Sequence, residues 1–180
     1  MNIPNILTIF RFFLIPIFIT IFYSPIDNNI KYAIYIFILA GITDVLDGYI
    51  ARNFNMVTKW GTVLDPLADK LMQLTVLVCF TDKNFLPIWV ILVIGIKEIL
   101  MIIGALFLYY FADKTVVPAN KFGKLATVFF YAAILVIAFT SNITIKYVFV
   151  GLTLLLTIIA FVNYLIGFNK ISKVTNIVDK

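Results

Sequence analysis

Histidine is absent from the sequence, cysteine occurs once, and charged residues are scarce. Without histidine the chain lacks the commonest general base and metal ligand, so acid–base or metal chemistry must rest on carboxylates. The lone Cys79 cannot close an intramolecular disulfide, and its apolar setting reads as a packed, inert thiol. Charged residues make up 13% of the chain and apolar ones 63%, where soluble domains carry about 25% and about 45–50%. So few charges cannot cover a surface facing water. The chain belongs in a bilayer. Its net charge of +5 is not gathered into one run and comes with no nucleic-acid motif, so no nucleic-acid partner is expected. The 180 residues suit one domain, 1–180, without internal repeats or low-complexity tracts.

Long apolar runs take the place of the missing charge. A spanning helix needs about 20 mostly apolar residues. Residues 125–145 and 147–168 hold no charge, and 6–24, 32–52, 62–80 and 85–112 are apolar runs interrupted by a few ionisable groups. The expected fold is all-α, an integral membrane bundle of six transmembrane helices. Polar breaks separate the runs, among them Ser141-Asn142, and 169–180 reads as a polar tail. Residues 1–24 have neither the basic start nor the small-residue cleavage site of a signal peptide, so they read as a retained first span. With six helices starting inside, Arg52, Lys59, Lys114, Lys121, Lys124, Lys170, Lys173 and Lys180 fall on the cytoplasmic side. Only Lys31, Lys83 and Lys146 fall opposite, which predicts both termini in the cytoplasm. The tail lysines suit contact with membrane lipid headgroups.

An aspartate near the centre of a span costs roughly 2.5–3.5 kcal/mol on insertion scales. Asp44, Asp47, Asp65 and Asp69 nevertheless fall in two consecutive apolar segments. At 3.6 residues per turn, Asp44, Asp47, Gly48 and Ala51 share a face of helix two, and Asp65 and Asp69 share one of helix three. A short connection makes the two helices antiparallel neighbours. Pro66 is expected in the first turn of helix three. Lys70 is expected to point away from Asp65 and Asp69. Arg11, alone in the first span, reads as a side chain reaching for the interface. Four carboxylates without matching cations suit hard divalent ions such as Mg²⁺ or Mn²⁺, two of which can share such a site and bridge phosphate oxygens. Helix-end charges facing water, or an ion path, are the competing readings.

The pattern Asp44-x2-Asp47-Gly48-x2-Ala51-Arg52-x8-Gly61-x3-Asp65-x3-Asp69 resembles the complete signature of the CDP-alcohol phosphatidyltransferases. The resemblance covers most of the chain and thins after Thr127. It implies two metal ions, Mg²⁺ or Mn²⁺, on Asp44, Asp47, Asp65 and Asp69, with Asp69 as the base for the acceptor hydroxyl. CDP-diacylglycerol is the implied donor and CMP the leaving group. Gly48, Ala51, Arg52, Thr58 and Gly61 would line the donor site, together with Asn5 and Thr8 of Pro4-Asn5-x2-Thr8-x2-Arg11, which takes Arg11 out of its role at the interface. A homodimer in the cell membrane, with its site facing the cytoplasm, is also implied.

The opening Asn2-Ile3-Pro4-Asn5-Ile6-Leu7-Thr8 and the compact length look most like the bacterial members of the family that use glycerol 3-phosphate. Its phosphate calls for cations, and Lys97, beside Glu98, with Lys121 and Lys124 are the candidates. The stretch after Glu98 departs from the Leu-Arg-Glu usual there, so phosphatidylglycerol, giving cardiolipin, stays open as the acceptor. A cation transporter would need polar residues continuing across the membrane, and helices five and six supply no acidic ones.

Overall fold

Every run of apolar residues becomes a helix, and no strand occurs among the described residues. The computed structural model describes residues 3–54, 61–111 and 121–178, with side chains other than those of residues 3, 52, 62, 63, 105–111 and 169–178. The helices are α1 (Ile3–Phe22), α2 (Asn29–Asn53), α3 (Gly61–Asp82), α4 (Ile88–Phe111), α5 (Lys121–Phe139) and α6 (Ile143–Val178). Among the described residues four stretches are long and apolar enough to cross a membrane: Pro4–Phe22, Asn29–Ala51, Lys121–Phe139 and Ile143–Phe168. The protein is therefore a multi-pass membrane protein. α3 is interrupted by Asp65, Asp69 and Lys70.

The chain divides into two compact units, Met1–Pro87 and Ile88–Lys180. In the first, α1 packs on both α2 and α3. Thr8 and Arg11 near the start of α1 meet Asp65 near the start of α3, and Tyr23 just past α1 donates to Asp82 at the end of α3, 2.9 Å away. α1 and α3 therefore run parallel, with α2 returning between them in sequence. Phe18, Phe22, Phe80 and Phe85 form a chain of ring contacts, with centroids 5.4–5.7 Å apart, that fastens the far end of α1 to α3. Ala33, Ala40 and Ala68 are fully buried, which lets the backbones approach closely. Asn28 and Asn84 take the left-handed backbone at the turns before α2 and after α3, a conformation asparagine tolerates better than most residues.

In the second unit α6 packs against both α4 and α5. Ala126, Phe130, Ala133 and Ile137 recur at helical spacing as the buried stripe of α5. Thr153 Oγ1 of α6 lies within reach of the Phe129 carbonyl of α5, at 3.0 Å, and of the Phe149 carbonyl in its own helix, at 2.8 Å. Where α4 meets α6, Tyr164 donates to the Met101 carbonyl at 3.3 Å, and a Cβ on Gly104 would lie 2.8 Å from the Tyr164 hydroxyl. Glycine is what permits that approach.

Three boundaries differ from the sequence reading. The fifth helix stops at Phe139 rather than at residue 145, because Asn142 caps the next helix, accepting from the amides of Thr144 and Ile145 at 3.0 and 3.3 Å. The sixth helix does not stop at residue 168: α6 continues through the polar tail to Val178, since no glycine or proline follows Gly167 to stop it. α3 begins at Gly61, so Pro66 lies in the second turn, where its missing N–H removes a helical bond.

Candidate functional site

Three helices of the first unit bring their polar residues to one level. α2 contributes Asp44 and Asp47, one turn apart, while Val45, Leu46 and Tyr49 on its other sides are exposed. α3 contributes Asp65 and Asp69. Asp44 lies within electrostatic range of Asp69 and Asp65, and Asp47 of Asp44 and Asp65. Like charges this close require counter-charge.

α1 supplies it. Arg11 is 1% exposed, and its Nη1 lies 2.9 Å from Asp44 Oδ1 while Nη2 donates to Asp47 Oδ2. Nη1 also donates to the Asp65 carbonyl at 3.3 Å. Arg11 is thus not an interfacial side chain: its charge is spent on α2, because the helix-three and helix-two residues needed to hold it stand at the same level. Thr8 Oγ1 lies within reach of the Pro4 carbonyl, at 3.0 Å, and of Asp65 Oδ1. Its single proton goes to the carboxylate, the stronger acceptor.

Asp69 has a separate setting. Gln73, one turn on, donates Nε2–H to Asp69 Oδ2 at 2.8 Å, and Lys70 Nζ stands 3.8 Å from the same oxygen. Lys70 also donates to Gln73 Oε1 at 3.3 Å. The expectation that Lys70 points away is corrected here. The helical wheel places its Cβ, but its four-carbon stem carries the ammonium back to the neighbouring carboxylate. Gln73, buried in α3, is the residue that sequence reasoning missed. Its signal was an amide in an apolar run at i+4 from an aspartate, a spacing that lets the two side chains meet.

The remaining predicted residues are dispersed. Asn5 is partly buried in α1, Gly48 and Ala51 lie partly buried on the Asp44–Asp47 side of α2, and Gly61 is the buried first residue of α3. Arg52 belongs to α2, with its side chain outside the described residues, and Thr58 lies outside them altogether. In the second unit, Lys97 is buried and pairs with Glu98 at 2.7 Å. Lys121 and Lys124 stand exposed in the first turn of α5. α4 and α5 are not packed together among the described residues.

The donor set has the chemistry a hard divalent cation requires: carboxylate oxygens only, with Asp44 still 38% exposed. Among the described residues, however, no three acidic or thiol side chains converge closely enough to hold an ion.

An all-helical, multi-pass membrane protein with four carboxylates on two neighbouring helices is the class these observations define. The sequence pattern of the CDP-alcohol phosphatidyltransferases matches residues 1–159, and the chain belongs to that family. The family is generally metal-dependent. The chain is similar to the CDP-diacylglycerol–glycerol-3-phosphate 3-phosphatidyltransferase of Haemophilus influenzae, 47% identical over 83 residues, which are 46% of this chain and 45% of the relative. The enzyme of the same name from Bacillus subtilis is 38% identical over 138 residues, 70% of each chain. That from Shigella flexneri serotype 5b is 32% identical over 154 residues, 84% of each. The match thus spans under half of the first relative's length and most of the other two.

Proposed function

We propose that this protein transfers the phosphatidyl group of CDP-diacylglycerol to glycerol 3-phosphate in the cell membrane, at a cytoplasm-facing site on Asp44, Asp47, Asp65 and Asp69. What supports this reading is the family match over residues 1–159, together with Arg11 and Thr8 of α1 reaching Asp44 and Asp47 of α2 and Asp65 of α3. The names of the relatives favour glycerol 3-phosphate over a lipid acceptor. The aspartates are the proposed ligands of two divalent cations, Mg²⁺ or Mn²⁺, which when bound supply neutralising charge to the diphosphate.

The chain's own residues account for the rest. Asp69 removes the proton from the acceptor hydroxyl, whose oxygen forms a bond to the lipid-linked phosphorus as the bond to CMP breaks. Gln73 and Lys70 both act on Asp69 Oδ2, and no described residue donates to Oδ1, the oxygen that takes the proton. Gly48, Ala51 and Gly61 keep bulk away from the donor, and Asn5, Thr8, Arg52 and Thr58 are the polar residues proposed to bind it. Lys97, Lys121 and Lys124 are proposed for the acceptor phosphate.

Release of CMP from purified protein given CDP-diacylglycerol tests the assignment. Glycerol 3-phosphate should support turnover and phosphatidylglycerol should not; the reverse result discards the acceptor. Lys97→Met should raise the glycerol 3-phosphate KM about tenfold to a hundredfold, the loss of one charge-assisted contact, with little change in the donor KM. Glu98→Gln belongs in the same series, because losing Lys97 removes the cation beside a buried carboxylate. If the double variant keeps the wild-type acceptor KM, Lys97 does not hold the phosphate.

A further inference from the structure

The reaction proposed above gives Arg11 no task that explains its geometry. Its guanidinium comes from a third helix, is almost wholly buried, and takes one oxygen from each aspartate of α2. Its Nε has no hydrogen-bond partner among the described residues, so its contacts run through the two terminal nitrogens, to the two carboxylates and, from Nη1, to the Asp65 carbonyl. No three acidic or thiol donors among the described residues converge on a point that an ion could occupy, and the Asp44 and Asp47 oxygens face Arg11. Oxygens already facing a guanidinium are poor ligands, and its fixed positive charge opposes a second cation at the same carboxylates.

We propose that Arg11 is a built-in counterion that competes with divalent cations for Asp44 and Asp47. This rests on the metal reading above. The site then has two arrangements. In one, Arg11 neutralises the α2 carboxylates, which lets the protein fold and stay folded with its metal removed. In the other, the carboxylates turn from the guanidinium to the ion. Asp44 is the first to exchange, because it is 38% exposed and water can replace its half of the pair, whereas Asp47 is 3% exposed. Metal affinity is therefore held below what four carboxylates would otherwise give.

Mn²⁺ binding, read from loss of the free-ion electron paramagnetic resonance signal, tests this on the full chain in detergent with neither donor nor acceptor. Arg11→Gln should bind Mn²⁺ about tenfold to a hundredfold more tightly than wild type, the effect of removing one charge-assisted competitor. It should also melt at a lower temperature in EDTA and gain more from Mn²⁺. Arg11→Lys keeps the charge but loses the fork that reaches both aspartates, so it should bind Mn²⁺ with intermediate affinity. It serves as the deciding variant if Arg11→Gln fails to fold. Wild-type or weaker Mn²⁺ affinity in the folded variants, while wild type itself binds, overturns the competition and makes Arg11 a fixed brace. Absence of Mn²⁺ binding in wild type and variants alike overturns the metal reading and the competition with it.

Discussion

Asp69→Asn should cost about 10²–10⁴-fold in turnover, the usual contribution of a positioned general base. The substitution is nearly isosteric, and an asparagine carbonyl can still accept the Gln73 amide proton that now reaches Asp69 Oδ2. The fold and the ends of α3 are therefore preserved. What is lost is an oxygen able to take a proton from the acceptor. Asp44, Asp47 and Asp65 remain, so CDP-diacylglycerol binding should change by less than tenfold. Initial rates of CMP release, set beside equilibrium binding of labelled donor, separate the two effects. Wild-type turnover in Asp69→Asn would show that the proton goes elsewhere. Gln73→Leu provides the companion measurement: it leaves the carboxylate but not its orientation, and its loss should be smaller than that of Asp69→Asn.

Removal of divalent metal should be at least as damaging. Transfer develops charge on a diphosphate beside four carboxylates, and the described cations near them are only Arg11 and Lys70. Formally this leaves the site negative, which repels the donor. A metal contribution of several kcal/mol corresponds to about 10³-fold or more in rate. Treatment with EDTA should bring CMP release to background, and Mg²⁺ or Mn²⁺ should restore it. Because Arg11 holds the α2 carboxylates, the stripped protein should stay folded, so the loss is reversible. Full turnover in a preparation verified free of metal contradicts the mechanism.

Much of the architecture was legible because a bilayer leaves few choices. Six apolar runs became six helices, and the four aspartates stood out as charges in segments where charge is costly. Helical spacing sufficed to place Asp44 with Asp47 and Asp65 with Asp69. What spacing could not supply was the contribution of a third helix. Whether Arg11 reaches water or a carboxylate depends on how α1 sits against α2 and α3, which is a tertiary matter. Lys70 misled for a related reason: a wheel assigns direction to Cβ, while a long stem carries its charge elsewhere. The tail misled because polarity reports where the bilayer ends and says little about where a helix ends.

The Arg11 pairs also bear on how the protein enters the membrane. α1 emerges from the ribosome before α2, carrying a buried arginine whose described charged partners both lie in α2. Alone in hydrocarbon that arginine costs roughly 2.5–3.5 kcal/mol, and each aspartate of α2 carries a similar penalty when separated from it. As a hairpin, the two helices cancel much of this charge before either must face lipid unaccompanied. α1 and α2, packed together, should therefore also insert together. A nascent chain ending before residue 44 should hold its first helix in the bilayer less firmly than one that has reached residue 53.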